Sequence, residues 1–247
     1  MTRANGVVFW QGSSLIDGAP LVCVMTGLAA SSANSKTGGM AQTYILRADM
    51  PPIDAIREGA DTAICGNCPH RSVASGGAGS CYVNVGQGPR SVYAAWQRGR
   101  YPEVAPVEAA SLLHQTGRKL RMGAYGDPGA IPAGVWWVLT YPHGKYPHTG
   151  YTHRWRDTGA GLRGLCMASV DSAAEAQEAQ ALGWSTFRVA PKGDPLRMAG
   201  EARCPASAEA GKRVTCDGCP MLCDGVLRPG NVGRVIQAHG STAKRVV

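Results

Sequence analysis

The sequence predicts an α/β fold built on parallel strands, arranged as a full or partial (β/α) barrel with cysteine-rich metal-binding loops. The clearest support is one β-α-β unit, whose strand, helix and strand fall at residues 165–170, 173–182 and 186–189. Ser172 and Glu175 form a capping box at the start of its helix, and Gly183 stands where a helix commonly ends. Because the crossover in such a unit joins parallel neighbours, it predicts a parallel sheet.

Short apolar runs alternate with helical patterns along the rest of the chain. Further strands are predicted at residues 21–26, 43–46, 119–124, 135–140 and 235–238, and helices that begin at proline at 52–58, 89–98 and 106–115. A chain of 247 residues suits one barrel with a single core, and a doubly wound open sheet is the alternative. We therefore expect one barrel-like domain at residues 21–247, after an N-terminal extension at residues 1–20.

The nine cysteines predict metal binding rather than disulfides. A chain of this length buries enough apolar surface to fold without cross-links. Residues 1–12 do not resemble a secretory signal, and the best apolar run, at 134–139, is far shorter than the ~20 residues of a membrane span. We expect a cytoplasmic protein with no membrane partner, in which closely spaced thiols are usually metal ligands or catalysts.

The C-terminal segment 204–225 contains four candidate ligands, Cys204, Cys216, Cys219 and Cys223. Cys216 and Cys219 form a Cys-x2-Cys pair, and the tight turn between such residues lets two thiolates converge on one ion or cluster. Gly218 and Pro220 favour that turn. Four thiolates complete a tetrahedral set, so both zinc and a 4Fe-4S cluster fit this group.

The first cysteine group has three candidate ligands, Cys65, Cys68 and Cys81. Three thiolates leave one coordination position for His70, Cys23, Cys166, water or a substrate. An open position is typical of a site that performs chemistry, and it favours an iron–sulfur cluster over zinc here. A redox dithiol or a structural zinc knuckle is the alternative. Cys23 and Cys166 lie within predicted strands, where a cysteine usually packs as a small apolar residue.

Polar residues that follow predicted strands are the other candidates, because barrel enzymes place their chemistry at the C-terminal ends of strands. The candidate catalytic residues are Asp127, Lys36 and Asp171, with Asp127 and Lys36 as an acid–base pair beside the open cluster. The candidate cofactor-binding residues are Asn34, Tyr125, Ser169 and His239. A segment rich in Pro, Gly and Tyr predicts a lid or an additional metal site through His143, His148 and His153.

Several segments resemble a phage-associated family of cysteine-rich iron–sulfur proteins. They are NSKTG at 34–38, ICGNCPHR at 64–71, SCYVNVGQGP at 80–89, RMGAYGDP at 121–128, TGYTHRW at 149–155 and the CPAS…CDGC…C ending. That family is similar to radical SAM-type barrels in joining a cysteine cluster to parallel strands. The resemblance implies a barrel-like iron–sulfur protein, located in the host cytoplasm if phage-encoded. SAM itself is not expected, because radical SAM enzymes typically carry Cys-x3-Cys-x2-Cys, whereas twelve residues separate Cys68 from Cys81 here.

The formal net charge of +8 allows a nucleic-acid partner, although the basic residues are dispersed along the chain. Three functions therefore stay open. The first is an iron–sulfur protein that acts as an enzyme on an unknown small molecule at the barrel mouth. The second is a zinc-dependent nucleic-acid-binding module, and the third is a non-catalytic iron–sulfur sensor or scaffold. Metal content separates the second function from the others, and a bound small molecule separates the first from the third.

Overall fold

The computed structural model describes residues 4–31, 36–72, 76, 79–141, 144–191, 199–207, 210–211, 214–228, 230 and 233–238. The strands are β1 Gly6–Ser13, β2 Pro20–Thr26, β3 Ala41–Arg47, β4 Leu120–Tyr125, β5 His148–Thr149, β6 Tyr151–Thr152, β7 Met167–Val170, β8 Thr186–Ala190, β9 Glu201–Arg203 and β10 Gly233–Gln237. The helices are α1 Pro52–Arg57, α2 Thr62–Cys65, α3 Gly88–Gln97, α4 Pro106–Thr116, α5 Ala133–Leu139 and α6 Ala173–Ala181.

The helix ends follow the signals in the sequence. Proline stands in the first turn of α1, α3 and α4, where its missing N–H is not needed. Gly117 ends α4 in the left-handed conformation, at a φ of 64°. At α6, the hydroxyl of Ser172 accepts a 3.1 Å hydrogen bond from the N–H of Glu175, which confirms the predicted cap.

The strands form two five-stranded sheets, in the orders β1-β2-β3-β4-β5 and β6-β7-β8-β10-β9. Pairing is antiparallel from β1 to β3 and parallel between all other neighbours. The predicted α/β class with parallel strands is therefore confirmed. A closed barrel is not observed, since β1 and β9 stand at the outer edges of the sheets that the described residues form.

One extended segment joins the two sheets. β5 pairs with β4 in the first sheet, β6 pairs with β7 in the second, and only Gly150 separates β5 from β6. A side chain at Gly150 would lie 2.6 Å from the sulfur of Cys166, so the close packing at this junction requires glycine. The parallel strands of both sheets consequently end at a common side of the molecule, beyond β4, β6 and β7.

Two regions differ from the sequence-based expectation. Residues 135–140 were expected to form a strand but lie mostly in α5, which buries Trp136 and Leu139 three residues apart and exposes Trp137 and Val138. That spacing is helical, and a short apolar run alone does not distinguish a helix from a strand. The expected N-terminal extension contains β1, which pairs along β2 and buries Phe9. In the part of the chain that the structure describes, no helix is long and apolar enough to cross a bilayer.

Candidate metal centres

Three cysteines come together in the connection between β3 and α3. Cys65 ends α2, and Gly66 then turns the chain at a φ of 60°, which favours glycine. The N–H of Cys68 donates to the carbonyl of Cys65 at 3.3 Å, and the N–H of Cys81 donates to the carbonyl of His70 at 3.0 Å. The second hydrogen bond returns the chain to the turn, so Cys68 and Cys81 lie close enough to Cys65 to raise its pKa, and Cys68 raises that of Cys81.

Hydrogen bonds from Arg71 stabilise the turn that carries Cys65 and Cys68. Its guanidinium makes two hydrogen bonds with the carboxylate of Asp61, at 3.0 and 2.5 Å, and both residues are buried. It also donates to the carbonyls of Gly66 and Gly59, at 2.7 and 2.8 Å. A paired, multiply hydrogen-bonded guanidinium is tolerated in a protein interior and gives geometric specificity. Arg71 therefore fixes the path of the chain at the cysteine turn.

Asp127 connects the end of β6 to the same turn. Its carboxylate accepts hydrogen bonds from the His153 N–H at 2.7 Å and the Thr152 hydroxyl at 2.6 Å, while its own N–H donates to the Ile64 carbonyl in α2 at 2.6 Å. A third bond, from the Gly129 N–H at 2.8 Å, begins the 3₁₀ turn Pro128–Ala130. Burial raises the pKa of Asp127, although the hydrogen bonds from Thr152 and Gly129 act in the opposite direction. Asp127 is thus a positioning residue.

The ring of His153 lies beside the cysteine turn. Burial alone lowers the pKa of His153, but Cys68 and Asp171 beside the ring raise it well above its usual value. Nε2 of His153 is buried 3.4 Å from the Asp171 carboxylate and makes no well-aligned hydrogen bond. His70 lies beside the same carboxylate. Its Nε2 is 2.8 Å from Asp171, and its Nδ1 is 2.6 Å from the hydroxyl of Ser80. The two rings pack edge to face at 5.5 Å.

Four donors therefore converge at the C-terminal ends of the parallel strands, and we call them site 1: Cys65, Cys68, Cys81 and His153. Tyr125, the last residue of β4, faces this site. Its hydroxyl is buried and has no hydrogen-bond partner among the described residues. Burial raises the pKa of the Tyr125 phenol, and nearby Cys65 raises it further. A buried polar atom without a partner is costly, so the Tyr125 hydroxyl indicates a missing partner at site 1.

The C-terminal cysteines converge at a second place, which we call site 2: Cys204, Cys216, Cys219 and Cys223. Three parts of the fold hold it in position. The N–H of Cys204 donates to a carbonyl of β10, and the N–H of Cys216 donates to the carbonyl of Lys36, both at 2.9 Å. The carbonyl of Cys223 accepts a 2.9 Å hydrogen bond from the N–H of Gly150, at the junction of the two sheets.

Positive charge surrounds site 2. The side chains that lower the pKa of its thiols from outside include three basic residues, Lys36, Arg121 and Arg234. Burial is the larger effect, and it raises the pKa of Cys204 and Cys216 and brings that of Cys223 to about 12. Without a metal, these thiols are therefore protonated and neutral at physiological pH.

Arg121 is the most informative of these basic residues, because only 7% of it is exposed. Its guanidinium donates to the hydroxyl of Tyr82 at 2.5 Å. Burial lowers its pKa, but Tyr82, Tyr151 and Cys216 raise it by a larger amount. Burial raises the pKa of Tyr151 and of Cys216, so in the absence of metal these two groups are neutral at physiological pH. A buried cation normally has an ionised partner, so Arg121 indicates that negative charge belongs at site 2.

The spacing of the sulfur atoms bears on which metal group each site could hold. Among the described residues, His70, His153 and Asp171 form a group of three donors that lie within 4.8 Å of one another. No three cysteine sulfurs of the described residues lie that close together. Zinc–thiolate bonds of ~2.3 Å in a tetrahedron would place the sulfurs ~3.8 Å apart. The sulfurs at both sites are therefore more widely spaced than in a zinc tetrahedron.

The predicted catalytic residues lie at different sites. Asp127 is at site 1, and Asp171 lies behind His153 at the same site. Burial alone would raise the pKa of Asp171, but the neighbouring rings of His153 and His70 lower it below its usual range. Lys36 is at site 2, beside Cys204 and Cys216. The expected acid–base pair of Asp127 and Lys36 is therefore divided between the two sites.

The remaining residues predicted to belong to a site lie in different parts of the molecule. Tyr125 lies at site 1, whereas Ser169 is buried and its carbonyl accepts a 3.2 Å hydrogen bond from the Trp155 indole. Asn34, His239 and the lid candidate His143 lie outside the described residues. His148 is buried at the sheet junction, with its ring nitrogens 2.6 and 2.9 Å from backbone carbonyls. The two remaining cysteines, Cys23 and Cys166, are core residues as expected.

Sequence reasoning missed the residues that support the two sites. His153 was assigned to a lid or an additional metal site, and the structure places it against the first cysteine group. The ion pair of Arg71 and Asp61 and the positions of Arg121 and Tyr151 beside site 2 had no recognisable signal, because an isolated polar residue in an apolar run does not reveal which face it occupies. Comparison of the chain with protein-family models, curated proteins and solved structures gives no match. The function is therefore inferred from the two sites.

Proposed function

We propose that the protein is an iron–sulfur protein with two cluster-binding centres, site 1 and site 2. The observation that carries the proposal is the arrangement of the cysteines, which lie in two groups whose sulfurs are more widely spaced than in a zinc tetrahedron, a spacing that supports a larger group such as a cluster. All nine cysteines are free thiols, which suits a reducing cytoplasm. In this proposal the two joined sheets form a partial barrel, with site 1 at the C-terminal ends of its strands.

Charge supports the assignment of site 2. Four thiolates around a cluster give a site with net negative charge, which would compensate the buried guanidinium of Arg121 and the nearby Lys36. Without metal, the Cys216 thiol and the Tyr151 phenol beside Arg121 are neutral. Backbone and side-chain donors next to cluster sulfurs are typical of such sites, and Tyr151 is suitably placed beside Cys223. We therefore assign site 2 as a four-cysteine centre.

The donor set and the unpartnered hydroxyl of Tyr125 support the assignment of site 1. Three cysteines and His153 supply four donors, and Asp171 lies behind His153 as carboxylates commonly do behind metal-binding histidines. The Tyr125 hydroxyl would donate a hydrogen bond to a sulfur of the bound group. When bound, an iron–sulfur cluster supplies one-electron chemistry, and the chain contributes the positions of the donors and the exclusion of water. Cys81 is exposed, so site 1 can be reached from solvent.

One alternative for site 1 has a specific observation in its favour. His70, His153 and Asp171 place their donor atoms within 4.8 Å of one another, and two histidines with one carboxylate are the ligand set of mononuclear non-haem iron. His70 distinguishes the two assignments, because it is a ligand only in the alternative. We expect His70→Gln to keep its iron and sulfide. Loss of iron with sulfide unchanged would favour the mononuclear site.

The proposal is tested by quantifying iron, acid-labile sulfide and zinc in anaerobically purified protein. We expect iron and sulfide in the wild type, and loss of part of both in Cys68→Ala and in Cys219→Ala. Cys23→Ala is the matched control, since Cys23 is a core cysteine of β2 that belongs to neither group, and it should retain all metal. Stoichiometric zinc without sulfide in protein never exposed to oxygen would overturn the proposal.

A further inference from the structure

We propose that an open cleft beside the first cysteine turn binds a small molecule through a carboxylate or phosphate group, with Arg154 as the principal binding residue. The cleft has a volume of about 460 Å³, within the range of roughly 300–1,000 Å³ that small-molecule sites occupy. Gly66 and Asn67 line it, and they are the two inner residues of the Cys-x2-Cys turn. A molecule bound there lies next to site 1, but its binding does not depend on a metal at that site.

The walls of the cleft come from three separate parts of the chain. Ile16 lies in the turn between β1 and β2, Thr62 begins α2, and Asp157 lies in the segment that follows β6. The hydroxyl of Ser14 fixes the first wall, because it donates a 2.7 Å hydrogen bond to the carbonyl of Ala63 in α2. The fold therefore builds the cleft, and Ile16 gives it an apolar side.

The guanidinium of Arg154 is held in place where the cleft meets the cysteine turn. Its Nη1 donates to the side-chain oxygen of Asn67 at 2.7 Å, and its Nε donates to the hydroxyl of Thr158 at 3.4 Å. It also packs against Gly66, where an added side chain would lie 2.5 Å from Nη1. Only 12% of the Arg154 side chain is exposed. A guanidinium held in this way loses little conformational freedom when a ligand binds.

The hydrogen-bonding groups that remain available in the cleft are donors. An arginine side chain has five N–H groups, and contacts within the described part of the chain use three of those of Arg154. The amide nitrogen of Asn67 makes no hydrogen bond with the described residues, and Asn67 is exposed. Carboxylate and phosphate oxygens accept hydrogen bonds and match the fork of an arginine. The cleft therefore favours a ligand with an oxyanion.

Asp157 competes with such a ligand for Arg154. Its carboxylate lies 2.6 Å from Nη2 of the arginine, but 48% of the Asp157 side chain is exposed. An ion pair with a half-exposed carboxylate contributes little, because water can solvate that carboxylate instead. The oxyanion of a ligand can therefore take the place of Asp157. Arg71 also lines the cleft, but the buried carboxylate of Asp61 already pairs with it.

The test measures the binding of three probes to the full chain by isothermal titration calorimetry at low ionic strength. Phenyl phosphate and benzoate carry the two oxyanions on an apolar ring that suits Ile16, and benzylamine carries a cation on the same ring. We expect saturable binding of at least one anion and no binding of benzylamine. The anion that binds more tightly identifies the preferred headgroup. No binding of either anion, or equal binding of benzylamine, would overturn the proposal.

Substitutions separate this cleft from a general attraction of anions to a basic protein. Arg154→Gln should weaken anion binding at least about tenfold, as the loss of a hydrogen bond to a charged group does. Arg156→Gln is the matched control, because it removes the same charge from an exposed pair with Glu178. It should leave the affinity unchanged, and circular dichroism checks the fold of both variants. An equal loss of affinity in the two variants would overturn the role of Arg154.

Asp157→Asn tests the competition and does not require Arg154→Gln to fold. The substitution removes the competing carboxylate at a half-exposed position. We expect anion binding to tighten about twofold to fivefold, the range that an exposed ion pair is worth. An unchanged or weaker affinity in folded Asp157→Asn would overturn the assignment of the ligand to Arg154. Iron and sulfide are quantified on the same samples, so the outcome for this cleft is read separately from that for the clusters.

Discussion

The backbone N–H of His153 donates a 2.7 Å hydrogen bond to the carboxylate of Asp127, whose own N–H is bound to the carbonyl of Ile64. This relationship places a histidine from the end of β6 against a cysteine turn that lies more than eighty residues earlier in the chain. Both oxygens of the Asp127 carboxylate accept hydrogen bonds, because Thr152 and Gly129 donate to the oxygen that does not bind His153. Asp127 thus positions His153 at site 1.

Asp127→Asn should weaken site 1 and leave site 2 intact. The asparagine side chain keeps one acceptor oxygen, but its N–H₂ group faces one of the three donors that bind the Asp127 carboxylate. A buried donor without an acceptor costs about 1–3 kcal/mol. Loss of a group that orients a ligand typically lowers metal affinity roughly 10–100-fold. Metal analysis and thermal unfolding provide the measurement. Asp49→Asn, in the exposed pair with Arg47, is the control. Full metal content in Asp127→Asn would contradict the positioning role.

Gly225→Ala should dislodge the segment that carries site 2. Gly225 has a φ of 78°, and a side chain there would lie 2.5 Å from the carbonyl oxygen of Cys166, which is backbone and cannot give way. Gly211→Ala is the matched control, because Gly211 has a φ of 65° and open space around it. We expect Gly225→Ala to cost about 1–3 kcal/mol more than the control, as an overpacked interior does. Equal unfolding midpoints and equal metal content in the two variants would refute this prediction.

The metal-free protein should lose stability as the pH rises above 9. Burial raises the pKa of Cys223 to about 12 from its ordinary 9.0, so the unfolded chain releases this proton at a lower pH than the folded chain. The contribution of the protonated Cys223 thiol to the free energy of unfolding is complete below pH 9 and is lost progressively as the pH approaches 12. Chemical unfolding at pH 8, 9 and 10 measures it. Cys223→Ala should flatten the dependence, and an unchanged slope in that variant would contradict the assignment.

Glu201→Gln should destabilise the second sheet. Arg188 in β8 and Glu201 in β9 form a two-bonded ion pair at 2.9 Å, with side-chain exposures of 3% and 0%. Removing the charge of one member of a buried pair leaves the other uncompensated and costs about 3 kcal/mol. The exposed pair of Arg156 and Glu178 supplies the control, and Glu178→Gln should leave the unfolding midpoint nearly unchanged. Similar midpoints for the two variants would argue against this role of the buried pair.

The sequence by itself determined the features that depend on local signals. The β-α-β unit around α6, its Ser172 cap and the proline-initiated helices were predictable, because capping residues and apolar periodicity act within a few residues. The grouping of the cysteines was predictable for the same reason, since a Cys-x2-Cys turn brings its two thiols together whatever surrounds it. Local signals failed at α5, where a short apolar run fits a helix and a strand equally well.

Only the tertiary structure decided which distant residues complete the two sites. His153 joins Cys68, and Arg121 joins Cys216, because parallel strands from separate parts of the chain end or face one another there. Such contacts depend on strand order and on the face that each side chain occupies, and a change of one residue in register would reverse that face. A single sequence carries no local record of that register. The cysteine spacing therefore indicates that metal binds, and the fold determines the donors and charges around it.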